Sequence, residues 1–146
     1  MLSDQLADHL RHAAARIARM QGATLAPHGV TLAEWMILRA LYDAGAVAPS
    51  ALAQACGLTR GAVTKLVDRL RAKRLLVRAA AGREDRRYQT IALTGAGATL
   101  VPVLATGIAA AEARAFAHLS EGERRALRDL LATLSSPPAD DADDDG

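Results

Sequence analysis

Apolar residues return every three or four positions through most of the chain, and the period shortens to two over one stretch past the middle. Leu6, Leu10, Ala13, Ile17 and Met20 line one side of the first segment, with Arg11, Arg16 and Arg19 elsewhere on its circumference. The spacing predicts an amphipathic helix ending near Gly22. Pro27 and Gly29 mark a loop. Thr31-x-x-Glu34 is a capping box, and Trp35, Leu38, Leu41 and Tyr42 form the buried stripe of a second helix up to Gly45. A short helix over residues 49–56 is stopped by Gly57. Thr59 is placed to cap a fourth helix reaching about residue 74, with Val63, Leu66, Val67 and Leu70 inward.

Leu76-Val77 then reads as a short strand, residues 79–87 as a Gly- and charge-rich turn, and residues 88–93 as a second strand with Gln89, Ile91 and Leu93 on one face. Thr94 can cap a long helix over residues 95–118, with a kink expected at Pro102. Ser120-x-x-Glu123 is another capping box, opening a last helix that carries Leu127, Leu130, Leu131 and Leu134. Residues 137–146, two prolines followed by ADDADDDG, have no apolar content and are expected to be disordered. The fold class is mainly α (α+β). A short helix, a tight Gly turn and a second helix make a helix-turn-helix, and the hairpin directly behind it makes a two-stranded wing.

Composition narrows this picture. At 146 residues the chain suits one domain, or a small domain plus an oligomerisation element. Half of it is hydrophobic, but much of that is alanine and only Trp35, Tyr42, Tyr88 and Phe116 are aromatic, which favours thin, closely packed helices. A single cysteine, Cys56, excludes an internal disulfide framework and fits a reducing cytosol. No apolar run is expected to approach the roughly 20 residues of a membrane span. The polar start (Ser3, Asp4, Asp8) lacks a signal-peptide pattern, so a cytoplasmic location is expected.

Charge changes the picture most. Residues 60–87 hold ten of the eighteen Lys and Arg against three acids (Asp68, Glu84, Asp85), a balance of ten minus three, or +7. The flanks 1–59 and 88–138 hold eight basic and eight acidic residues and cancel, and five aspartates in 139–146 bring the total to +2. A positive field concentrated in one segment is the footprint of a protein that neutralises phosphates. The segment coincides with the second helix of the helix-turn-helix and the wing.

With Val63, Leu66, Val67 and Leu70 inward, Gly61, Thr64, Lys65, Asp68, Arg69 and Ala72 face outward. Such a helix has the width that the major groove of B-DNA admits. Thr59, Arg60, Thr64 and Lys65 near its N-terminus are expected to reach base edges, and Arg69 to grip phosphate. Asp68 could orient Lys65 or Arg71, or accept from a cytosine amino group. The wing adds Arg83, Arg86 and Arg87, and an Arg at a hairpin tip can enter a narrow minor groove, with Asp85 either fixing its guanidinium or bonding turn amides.

The run Leu58-Thr-Arg-Gly-Ala-Val-Thr-Lys-Leu-Val-Asp-Arg-Leu70, then Glu84-Asp-Arg-Arg87, then Ile91-Ala-Leu-Thr-Gly-Ala-Gly97, resembles the MarR family of bacterial transcriptional regulators. The resemblance covers nearly the whole chain and is most specific in the Asp-x-Arg wing followed by Leu-Thr-x-x-Gly. It implies Asp85 and Arg87 as the wing pair, with Arg87 in the minor groove and residues 59–69 in the major groove. It also implies an obligate homodimer, divided here as dimerisation helix 1–27, winged helix-turn-helix 28–94, dimerisation helices 95–136 and acidic tail 137–146. Independently, the first and last helices each carry an apolar stripe that needs a partner. A two-fold dimer presents two recognition helices about 34 Å apart and reads a pseudo-palindromic operator.

Such a family often responds to a small, commonly aromatic anion or to oxidants. His12, Arg16, His28, Trp35, Met36 and Arg39 are the residues that could line an effector pocket, or else Trp35 and Met36 are core and the charged ones solvated. Cys56, behind Leu52 and Ala55, reads as a core residue. His9, His12, His28 and His118 lack metal-ligand spacing, and no phosphate loop or nucleophile elbow occurs, so neither enzyme nor cofactor is expected. The expected function is a dimeric DNA-binding regulator, a repressor released by an effector. The rival reading is an interaction module whose basic face docks an acidic protein or the chain's own tail.

Overall fold

The computed structural model describes residues 5–80 and 89–136, with Ala80 by its backbone alone. The order is α1 (Leu6–Leu25), a 3₁₀ turn (Ala26–His28), α2 (Leu32–Ala44), α3 (Pro49–Cys56), α4 (Arg60–Ala72), β1 (Leu76–Ala80), β2 (Gln89–Leu93), α5 (Gly95–Ala115) and α6 (Glu121–Ser135). It is a mainly helical winged helix-turn-helix with one antiparallel strand pair. Residues 1–112 and 113–146 form two compact units.

Several boundaries move from their expected places, each for a local reason. α1 runs through Gly22 to Leu25, because an interior Gly costs about 1 kcal/mol and the real break is Pro27 in the next turn. Thr31 does close a capping box, its hydroxyl accepting from Glu34 N while the Glu34 carboxylate accepts from Thr31 N. Tyr42, expected inward, is exposed, and Ile37 completes the buried stripe with Trp35, Leu38 and Leu41. α5 stops at Ala115, three residues before the expected end, and continues through Pro102. The Ser120–Glu123 box opens α6 as the sequence indicates.

The core of the first unit gathers Leu25 and Val30, the α2 stripe, Leu52, the α4 stripe Val63, Leu66, Val67 and Leu70, the strand residues Leu76 and Ile91, and Val101, Leu104 and Ile108 of α5. The strands pair Leu76 with Leu93 and Arg78 with Ile91. Val47 adds a further bridge, exchanging two backbone hydrogen bonds with Ile91 at 3.0 and 2.7 Å. The hairpin root is thereby tied to the loop between α2 and α3.

α5 is joined to α4 by a compact knot. Thr94 N donates to Leu75 O at 3.0 Å, its hydroxyl donates to Arg74 O at 2.7 Å, and the Thr94 Oγ1 also accepts from Gly97 N at 3.1 Å. A Cβ at Gly97 would lie 2.3 Å from Leu75 O, so only glycine lets α5 pass there. Contrary to the expectation that no apolar run approaches a membrane span, α5 is long and apolar enough by length and composition. Its Val101, Leu104 and Ile108 belong to the core cluster, while 28% of its apolar window is buried.

Gly97→Ala is expected to lower stability by about 1–3 kcal/mol through overpacking against backbone. Gly95→Ala, where a Cβ meets nothing within 4 Å, should leave it unchanged or slightly raised. Urea denaturation of the two variants distinguishes them.

Candidate nucleic-acid interface

The helix-turn-helix is built from local signals at both ends of α4. Gly57, at φ 63°, ends α3 in the left-handed conformation and lets the chain turn within three residues to Thr59. The Thr59 hydroxyl accepts from Ala62 N at 3.1 Å and starts α4. At the other end Leu75 N donates to Leu70 O at 3.0 Å and Arg74 N to Arg71 O at 2.9 Å. This is a Schellman closure with Arg74 at φ 60°, a position that favours glycine.

Between these ends α4 is divided cleanly. Val63, Leu66, Val67 and Leu70 are buried, while Gly61, Thr64, Lys65, Asp68, Arg69 and Ala72 are exposed. Thr59 and Arg60 are exposed as well, and the Thr64 hydroxyl donates back to Arg60 O at 2.9 Å. Arg60, Lys65 and Arg69 thus stand free of the core on the helix. Arg83, Asp85, Arg86 and Arg87 lie outside the described residues.

Not every cation of the basic segment faces solvent. Lys73 Nζ turns back from the end of α4 to donate to Gly29 O at 2.6 Å and to Glu34 Oε2 at 2.7 Å. Glu34 is 1% exposed, the one buried charged residue of the described chain. Burial by itself would raise its carboxyl pKa. The hydrogen bonds from Lys73 and Thr31, with the Lys73 charge, outweigh that and hold it below its ordinary value. Asp68 is also engaged: its Oδ1 accepts from Arg78 Nη2 on β1 at 3.3 Å and lies 3.9 Å from Arg71 Nη1. Arg71 was among the partners the sequence suggested for it, whereas Arg78 was not.

The residues expected to line an effector pocket do not share one environment. Trp35 is buried in the core, Met36 is half-buried, and His12, Arg16, His28 and Arg39 are exposed. The Cys56 thiol donates to Met36 O at 3.7 Å. Burial pushes its pKa up, only partly opposed by the Arg39 charge, which is the opposite of what a reactive thiolate requires. Among the described residues no three His, Cys, Asp or Glu side chains gather where a metal ion could be held.

Glu34 with a lowered carboxyl value contributes stability that is complete above the ordinary carboxylate range and is lost as pH falls through the lowered value. Lys73→Met should cost about 1.5–3 kcal/mol at neutral pH by leaving that buried carboxylate without its charged donor. Glu34→Gln should flatten the acid side of the stability profile, read as thermal midpoint against pH.

A family model described as the MarR family matches residues 28–87. No relative among the curated proteins matches the chain. Among solved structures, Bordetella bronchiseptica BpsR, studied for regulation of its DNA binding by 6-hydroxynicotinic acid, is 28% identical with a TM-score of 0.84, covering 92% of this chain and 97% of its own. A probable transcriptional regulator from Pseudomonas aeruginosa is likewise 28% identical at 0.84, covering 92% and 99%. A MarR family protein of Mycobacterium tuberculosis, solved in complex with DNA, is 25% identical at 0.74, covering 90% and 98%. Residues 28–87 thus match the MarR family model, and the chain is similar in fold to transcriptional regulators of that family over nine-tenths of its length.

Proposed function

We propose that this protein is a homodimeric, sequence-specific DNA-binding regulator, a repressor whose hold on a pseudo-palindromic operator is released by a small aromatic or anionic effector. The observation that carries the reading is the division of α4, which keeps its apolar stripe in the core and leaves Thr59, Arg60, Thr64, Lys65 and Arg69 outward. Small outward residues, Gly61 and Ala72, allow close approach to a groove. Arg83, Asp85, Arg86 and Arg87 supply the wing, with Arg87 entering the minor groove. The effector is proposed to reach His12, Arg16, His28, Met36 or Arg39 beside Trp35, by analogy with a relative whose DNA binding responds to 6-hydroxynicotinic acid. A regulator of this kind works in the cytoplasm, where a bacterial chromosome is.

Dimerisation is supported by apolar side chains left outward at both termini. Leu6 is 85% exposed on α1, and Leu130 and Leu134 are 68% and 67% exposed on α6. Burying a leucine is worth about 1.5–3 kcal/mol, so a symmetric partner covering these helices gains substantially. Residues 1–27 and 95–136 are accordingly assigned to the dimer and 28–94 to DNA.

Selection of bound duplexes from a random pool at physiological salt tests the DNA reading, with a palindromic site the expected result and no enrichment its refutation. On the selected duplex, Arg69→Ala and Arg87→Ala should each weaken binding and flatten the salt dependence by about one unit per lost phosphate contact per subunit. Leu130→Glu with Leu134→Glu should shift the protein from dimer to monomer in sedimentation; an unchanged dimer would remove α6 from the interface.

A further inference from the structure

Between residues 60 and 80 the sequence has seven Lys or Arg and one acid, Asp68. It stands 59% exposed on the outward face of α4, beside Lys65 and Arg69. A carboxylate there repels phosphate, so its presence on this face calls for a compensating role. The side chain is not simply solvated. Its Oδ1 accepts from Arg78 Nη2 at 3.3 Å and approaches Arg71 Nη1 at 3.9 Å. Arg78 belongs to β1, opposite Ile91, so the bond joins the wing strand to the recognition helix. Arg78 Nε is buried with no hydrogen-bond partner, and among the described residues the bond to Asp68 is what holds this guanidinium.

We propose that Asp68 is a specificity-determining positioning residue, tying Arg78 of the wing strand and Arg71 of its own helix to the outward face of α4. The proposal rests on the DNA-binding reading above. Two effects act together. On a duplex of arbitrary sequence, binding is mainly Coulombic and follows the summed charge of the face, which Asp68 reduces by one unit. On the duplex that fits, helix and wing must seat at once, and an Arg78 guanidinium already held by the carboxylate needs less ordering. The same carboxylate therefore weakens loose contact and preserves the fitted one. It raises the ratio between them, which is the quantity that matters against a genome of competing sites.

The test uses the full-length protein and two duplexes of equal length, one selected by the parent from a random pool and one of random sequence. Affinities are measured by fluorescence anisotropy across a salt series. Asp68→Asn keeps the shape and removes the charge. It should tighten binding to the random duplex by about three- to tenfold, with the salt slope steeper by about one unit per subunit. Binding to the selected duplex should stay level or weaken, so that the ratio falls about tenfold. Arg78→Gln should reduce the ratio by itself, and the double variant should lose no more than the larger single loss, because both remove one bond. Asp68→Asn tightening both duplexes by the same factor, or a double variant whose loss is the product of the two singles, overturns the proposal while the DNA reading stands. A parent that prefers no duplex overturns the DNA reading, and this inference with it.

Discussion

Glu34 imposes a condition on everything around it. Its carboxylate is taken out of water at the first turn of α2, and a charge in that position is tolerated only where donors surround it. Thr31 and Lys73 supply them, and Lys73 also binds the carbonyl of Gly29. Two stretches far apart in sequence meet at that point: the end of α4, and the turn behind α1 with the start of α2 that follows it. Apolar packing alone is non-directional and would let α4 slide or rotate on the core. A short, charge-assisted bond to a buried acceptor does not, so the orientation of the outward face of α4 depends on this tie.

The cations of the basic segment consequently divide by role. Lys73 holds the fold, and Arg78 and Arg71 are engaged by Asp68. Arg60, Lys65 and Arg69 remain outward, where a long-range field acts without hindrance. A net charge read from the segment thus overstates what the described face offers to a ligand. The geometry of the pairs, more than the count, decides how that charge is presented.

Small residues set the other constraint. Gly97 lets α5 cross the Leu75 carbonyl, and Gly107 brings it within 2.9 Å, measured from an added Cβ, of the Thr24 methyl. Close helix approach of this kind lets a core poor in aromatics reach high packing density, because thin helices leave little volume to fill. Leu6 on α1 and Leu130 and Leu134 on α6 stay exposed, and they are the side chains proposed to meet a second copy of the chain.

Element order, the capping boxes at Thr31 and Ser120, the Gly57 turn and the inward stripe of α4 were all legible in the residues, because each depends on neighbours within one or two turns. Helix ends are less legible: α1 runs past Gly22 to Leu25 and α5 stops at Ala115 instead of His118, because competing stops a few residues apart differ by small local energies. Tyr42 has the spacing of the stripe, yet it is exposed and Ile37 takes the buried place. Lys73 follows Leu66 by seven positions and Leu70 by three, so its inward side was written in the spacing. What it meets there was not, since Glu34 and Gly29 lie 39 and 44 residues away. The pairing of Asp68 with Arg78 likewise needed the strand to be laid against the helix. Local periodicity and capping were determined by the sequence alone; the partners of its buried and bridging charges were decided only when tertiary packing brought distant segments within hydrogen-bond reach.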